Sequence, residues 1–206
     1  MGSENSRIAQ TTGMLESDVD RLHEKYQLMT STAGEKHELN EAQFVSKFPP
    51  QQSELATMIF NAMDINKAGV VDFREFCMAV AVLSQGSKDD KVNFTFALYD
   101  RDRKGYIGAD DLRRVVTVFK RSSESLLSSL GVQHQVSERA AASTIFESMR
   151  PAQKGRVSRE EFRAFCNAHP EVFDQVEVTF NAIKRAAYWD WDVAKDGKEP
   201  HICSTM

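Results

Sequence analysis

One pattern recurs four times along this chain, and it sets the architecture before any propensity argument. Each copy has an apolar helix, a short polar loop, an apolar residue at the eighth loop position, and an aromatic residue or Leu just after the loop ends. The loops align as 32–43, 64–75, 100–111 and 150–161, followed by Phe44, Phe76, Leu112 and Phe162. Phe60, Phe96 and Phe146 each stand four residues before the last three loops. Strand signals are scarce, so the fold class is all-α. Incoming helices are expected at about 15–29, 52–63, 88–99 and 137–149, and outgoing ones at about 41–47, 73–83, 109–120 and 159–167. Ser53 and Ser137 are the expected N-caps. Leu39, Val71, Ile107 and Val157 hold the eighth position and are placed to pair antiparallel, first loop with second and third with fourth.

This gives two paired lobes, 15–84 and 88–167, hinged around 84–90 where Gln85-Gly86-Ser87 breaks the helix pattern. An N-terminal arm (1–14) precedes them, and a spacer with Leu126, Leu127 and Leu130 separates the third and fourth units. An extra C-terminal helix (171–190) carries Val172, Phe173, Val176, Phe180 and Ile183 on one side, and a flexible tail (191–206) follows.

Composition narrows the function classes. Hydrophobic residues at 41% and charged residues at 27% suit a water-soluble chain with a sizeable core. A net charge of −4 without a basic face argues against nucleic acid. Cys77, Cys166 and Cys203 are far apart, which reads as a reducing compartment without a disulfide framework. No apolar run reaches the length of a membrane span and the N-terminus lacks an apolar signal core, so the expected location is cytoplasmic. The five His residues are scattered and no nucleophile–base or phosphate-loop motif appears, so no catalytic residue is assigned and no small-molecule substrate is expected.

The loops can be scored as cation sites. Calcium takes six to eight oxygens from loop positions 1, 3, 5, 7, 9 and 12, with a bidentate Glu at 12 and Gly at 6 for the turn. The second loop offers Asp64, Asn66, the Val70 carbonyl, Asp72 and Glu75, with Gly69 at the turn; Ala68 leaves one position to water. It is the best site. The third offers Asp100, Asp102, the Tyr106 carbonyl and Asp111. There Lys104 puts a cation where an oxygen belongs, and Arg101 and Arg103 flank it. Asp111 is one methylene shorter than Glu, which leans the site towards magnesium's six-fold geometry. The fourth loop has Arg150, Ala152 and Lys154 at positions 1, 3 and 5, and the first has Thr32, Gly34 and Lys36 there with Gln43 at 12. Both read as scaffold that completes a lobe. The expectation is one calcium ion per chain.

The chain resembles the neuronal calcium sensor (recoverin-like) family of EF-hand proteins, with calcineurin B-like proteins as neighbours. The resemblance rests on Met-Gly-Ser-Glu-Asn-Ser at the start, Lys47-Phe48-Pro49, the run DFREFCMAVAVLSQGSKDDKVNFTFALYD, the long spacer before the fourth loop, and Ala168-His169-Pro170. It covers nearly the whole chain. Ala68, Lys104, Asp111 and the fourth loop depart from the family's pattern, which marks a divergent member. The resemblance implies an N-myristoylated calcium sensor that regulates a protein target.

The two ends bear on membrane attachment. Gly2 followed by Ser6 fits the myristoylation pattern, and Cys203-Ser-Thr-Met206 forms a C-a-a-X box of the farnesyl type, with Ser and Thr in place of aliphatic residues. One myristoyl chain gives only marginal, reversible binding, so a second signal is expected with it. The function expected is a calcium sensor or adaptor on the cytoplasmic face of a membrane. It would receive an amphipathic target helix in an apolar groove, with Phe44, Phe48, Met58, Phe76, Phe96 and Leu112 as lining candidates. For each of these six, plain core is the competing reading. The alternative function is a calcium-independent structural adaptor with degenerate loops.

Overall fold

The computed structural model describes residues 2–30, 38–48, 50–122 and 138–169. The expectations for residues 32–37, the Leu-bearing spacer, Ser137, the C-terminal helix and Cys203 lie outside these. The described helices are α1 (Gly2–Thr12), α2 (Glu16–Thr30), α3 (Glu41–Val45), α4 (Ser53–Met63), α5 (Phe73–Gln85), α6 (Lys88–Tyr99), α7 (Ala109–Ser122), α8 (Glu138–Ser148) and α9 (Arg159–Ala168). Four two-residue strands join the loops in pairs: β1 (Leu39–Asn40) with β2 (Val70–Val71), and β3 (Tyr106–Ile107) with β4 (Val157–Ser158). Leu39 faces Val71 and Ile107 faces Val157, the pairing that the eighth-position residues predict. All four are fully buried, so each short ribbon is held by side-chain burial as well as by its hydrogen bonds.

The outgoing helices begin inside their loops for a local reason. Position 9 is the N-cap and position 12 the third helical residue, which is the spacing of a capping box. Asn40 with Gln43, Asp72 with Glu75 and Ser158 with Glu161 each make both reciprocal bonds. A side-chain cap of this kind contributes roughly 1 kcal/mol. Ser87 and Asp90 form the same box at the start of α6, so the chain passes from α5 to α6 through Gly86 and Ser87 alone.

Three features differ from the sequence expectation. Ser53 is the first residue of α4 rather than its cap; a 3-10 turn over Pro50–Gln52 leads into the helix, and Gln52 caps it without a side-chain bond. The N-terminal arm is helical. Ile8 of α1 is buried in the N-terminal core, and Gln85 at the end of α5 donates to the Thr12 carbonyl at 3.1 Å.

The third difference is that the lobes share a core. On α6, Val92 and Phe96 join the C-terminal cluster with Ile107, Leu112, Phe146, Val157 and Phe162. Phe94 and Leu98, two residues on in each case, join the N-terminal cluster with Phe44, Phe60, Phe76 and Leu83. A two-residue offset is more than half a helical turn, so α6 buries opposite faces in two cores. Helix α7 does the same with Val116 on one side and Val115 and Val118 on the other. The break at Gly86 therefore joins two packed bodies and is not a free hinge.

Candidate metal centre

The second loop leaves α4 at Asp64 and turns through Gly69, which adopts φ +77°. Asp64 is 4% exposed and Glu75 6% exposed, which is rare for carboxylates without compensation. Loop amides supply part of it. Asp64 Oδ1 accepts from the Ala68 N–H at 3.0 Å and Oδ2 from the Gly69 N–H at 3.1 Å. Asn66 Oδ1 also accepts from Ala68, at 2.8 Å. Glu75 spans the loop: Oε1 accepts from the Asn66 N–H and Oε2 from the Asp72 N–H, both at 3.1 Å. Asp72 is exposed and holds the Glu75 amide at 2.7 Å. Val70 lies in β2 opposite Asn40.

The predicted ligands thus share one twelve-residue turn, with two buried carboxylates facing it and a third at its rim. Their oxygens lie on backbone amides rather than on one another. Among the described residues, no three His, Cys, Asp or Glu side chains are gathered at ion-holding distance. The donor set nevertheless fits calcium, which takes carboxylate, amide and carbonyl oxygens. One guanidinium is a weak match for two buried anions, and a divalent ion would compensate them better. That guanidinium is Arg103, which comes from the third loop and lies 3.5 Å from Asp64 Oδ2. Nothing in the sequence pattern points to this contact, because it depends on how α6 docks on α4.

The third loop has the same frame and different electrostatics. Asp100 Oδ1 and Oδ2 accept from the Lys104 and Gly105 amides at 2.9 and 2.7 Å. Asp111, 3% exposed, accepts from the Gly108 amide at 2.8 Å. The missing methylene stops it spanning to position 3 as Glu75 does. The Lys104 ammonium lies 2.9 Å from Asp111 Oδ2 and 3.7 Å from Asp102. Its pKa is raised, first by the hydrogen bond to Asp111. Lys104 and Arg156 also lie against the Tyr106 ring, at 5.2 and 4.6 Å from its centre. Lys104 thus stands as counter-charge where the sequence pattern suggests magnesium.

The fourth loop closes on itself. Glu161 accepts from the Ala152 and Ser158 amides, both at 2.7 Å, which are the position 3 and position 9 contacts that Glu75 makes. These bonds, the Ala152 bond first, lower the Glu161 pKa. Of the first loop, Gln43 is described, and its side-chain oxygen accepts from the Asn40 amide at 2.9 Å.

The six groove candidates are in the core. Phe44, Phe76 and Phe96 are fully buried, and Phe48, Met58 and Leu112 are at most 6% exposed. In this packing none lines an open surface, because the helix faces that carry them close over one another. A described apolar groove lies elsewhere, about 520 Å³ along α8 and α9, lined by Met149, Ala164, Phe165 and Ala168. Gly2 begins α1, and Ser6 of the lipidation pattern donates to Glu16 at 2.5 Å. No described helix is long and apolar enough to cross a membrane.

Two family models match the chain, each an EF-hand domain pair, over residues 35–83 and 89–167. Among similar proteins, the calcineurin B-type subunit of Yarrowia lipolytica is 31% identical over 168 residues, covering 80% of this chain and 91% of that one. A recoverin family protein of Dictyostelium discoideum is 28% identical over 143 residues, 65% of this chain and 62% of its own length. Guanylyl cyclase inhibitory protein of Lithobates pipiens is 33% identical over 111 residues, and the match spans about half of each chain, 53% and 52%.

Proposed function

The chain belongs to the EF-hand family, and on that premise we propose that it is a regulatory adaptor which takes one calcium ion, in its second loop, and acts through a protein partner. The carrying observation is the contrast among the loops. Asp64 and Glu75 are buried carboxylates of a full-length donor set, whereas Lys104 neutralises the third loop and Glu161 closes the fourth with no carboxylate opposite it. Asp64, Asn66, the Val70 carbonyl, Asp72 and Glu75 would hold the ion, with water at Ala68. Bound calcium would supply the positive charge that these oxygens share.

The relatives carry the names of a subunit, an inhibitory protein and a recoverin family member, which supports a binding role rather than catalysis. An amphipathic target helix remains the proposed ligand. Because the six candidate residues are core, its capture requires a lobe to open or a surface other than theirs. N-myristoylation at Gly2 and attachment to a cytoplasmic membrane face complete the proposal, on the strength of the Gly2–Ser6 pattern. Prenylation of Cys203 would provide the second lipid.

Calorimetric titration tests the metal assignment. The wild type is expected to bind one calcium, and Glu75→Gln to lose most of that heat; unchanged binding in the variant overturns it. The alternative, a calcium-independent adaptor, draws on the self-closed third and fourth loops. It is distinguished by partner capture that is equal in calcium and in chelator.

A further inference from the structure

The second and third loops meet across the boundary between the lobes. Arg103 occupies the fourth position of the third loop with φ +53°, uncommon for a non-glycine residue. Its side chain leaves its own lobe. Nη2 donates to the carbonyl of Asn61 in the last turn of α4 and lies 3.5 Å from Asp64 Oδ2. A guanidinium there meets the negative end of the α4 dipole as well as a carboxylate. The pair is shielded, with side-chain exposures of 20% for Arg103 and 6% for Asp64. Nη1 is buried with no hydrogen-bond partner among the described residues, so the group is held by those two contacts rather than by a wider network.

The contacted atom matters. Asp64 holds the first ligand position of the best calcium loop, so an ion bound there would face the carboxylate that Arg103 already touches. We infer that Arg103 is an affinity-setting residue for the second loop, supplied by the third, and that calcium and the contact between the lobes oppose each other through it. This rests on the reading of the second loop as the calcium site. A divalent ion and a guanidinium sharing one buried carboxylate repel at close range, where water screens poorly. Calcium therefore loosens Arg103 from Asp64 and Asn61. By reciprocity, whatever draws Arg103 away tightens calcium by the same factor. The third loop, with Lys104 on Asp111, thus keeps a task without a metal: it presents Arg103 from a frame held by its own cation.

The test is calcium titration of the full chain. Arg103→Gln is expected to bind calcium roughly 5- to 10-fold more tightly than wild type, the lower part of the usual range for coupled sites. Arg103→Lys, which keeps the charge and loses the planar fork, falls between the two. Arg101→Gln removes the same formal charge from an exposed neighbour and controls for long-range effects. Arg103→Met keeps the apolar stem and serves as a second variant if the Gln substitution impairs folding. Amide exchange over residues 100–105 reads the reciprocal effect: calcium speeds it in the wild type and leaves it unchanged in Arg103→Gln. An Arg103→Gln affinity equal to wild type, or a gain no larger than that of Arg101→Gln, overturns the inference while leaving the second-loop assignment standing. Absence of calcium binding in both wild type and Arg103→Gln overturns the assignment and the inference together.

Discussion

The ammonium of Lys104 lies 2.9 Å from Asp111 Oδ2, inside a loop whose backbone keeps the turn of a cation site. The chain has in effect replaced a diffusible cation by a tethered one. Restoring the site therefore requires two changes. Lys104→Gln with Asp111→Glu is expected to raise calcium stoichiometry from one to two by calorimetry. Asp111→Glu alone should leave it at one, because the ammonium stays. A full second site in the single variant would show that Lys104 does not hold the loop.

Glu161 makes the fourth loop sensitive to acid. Its carboxylate accepts two backbone N–H bonds, which lower its pKa from 4.5. A depressed folded-state pKa contributes stability that is present above the unfolded value and lost as pH falls through the folded one. Protection of the Ala152 and Ser158 amides should accordingly fall below about pH 4.5. In Glu161→Gln it should be weaker at neutral pH and flat across this range. A pH response that persists in the variant would assign the effect to another group.

Leu98 tests the shared core. It is 1% exposed and belongs to α6, yet it packs in the N-terminal cluster. Leu98→Ala should cost about 2–5 kcal/mol, as for other buried Leu truncations. Urea unfolding followed by probes in each lobe should move together. Displacement of only the C-terminal transition would mean that the lobes unfold independently.

Much of the fold was legible in the sequence because it rests on local spacing. The twelve-residue loops, the eighth-position residues Leu39, Val71, Ile107 and Val157, and the position 9 and 12 pairs are short-range patterns, and the structure keeps them. Lys104 was also visible as a misplaced cation. What the sequence did not display depends on docking. Phe94 and Leu98 look like ordinary members of the α6 repeat, and only tertiary packing sends them to the other lobe. Arg103 reads as one more charge in a basic loop until α6 sets it beside α4. The groove candidates failed as surface residues for a related reason: the apolar positions that would line an open lobe are the ones that fill a closed one.

Three glycines at the sixth loop position, Gly69, Gly105 and Gly155, share φ between +77° and +82° and so report their loops on equal terms. The Gly69 and Gly105 amides donate to the first-position carboxylates Asp64 and Asp100. An amide NMR titration with calcium tests the central claim most directly. The account predicts that the Gly69 resonance shifts and saturates at one equivalent while Gly105 and Gly155 stay nearly still. Gly105 or Gly155 shifting in step with Gly69, or Gly69 not shifting at all, would contradict it.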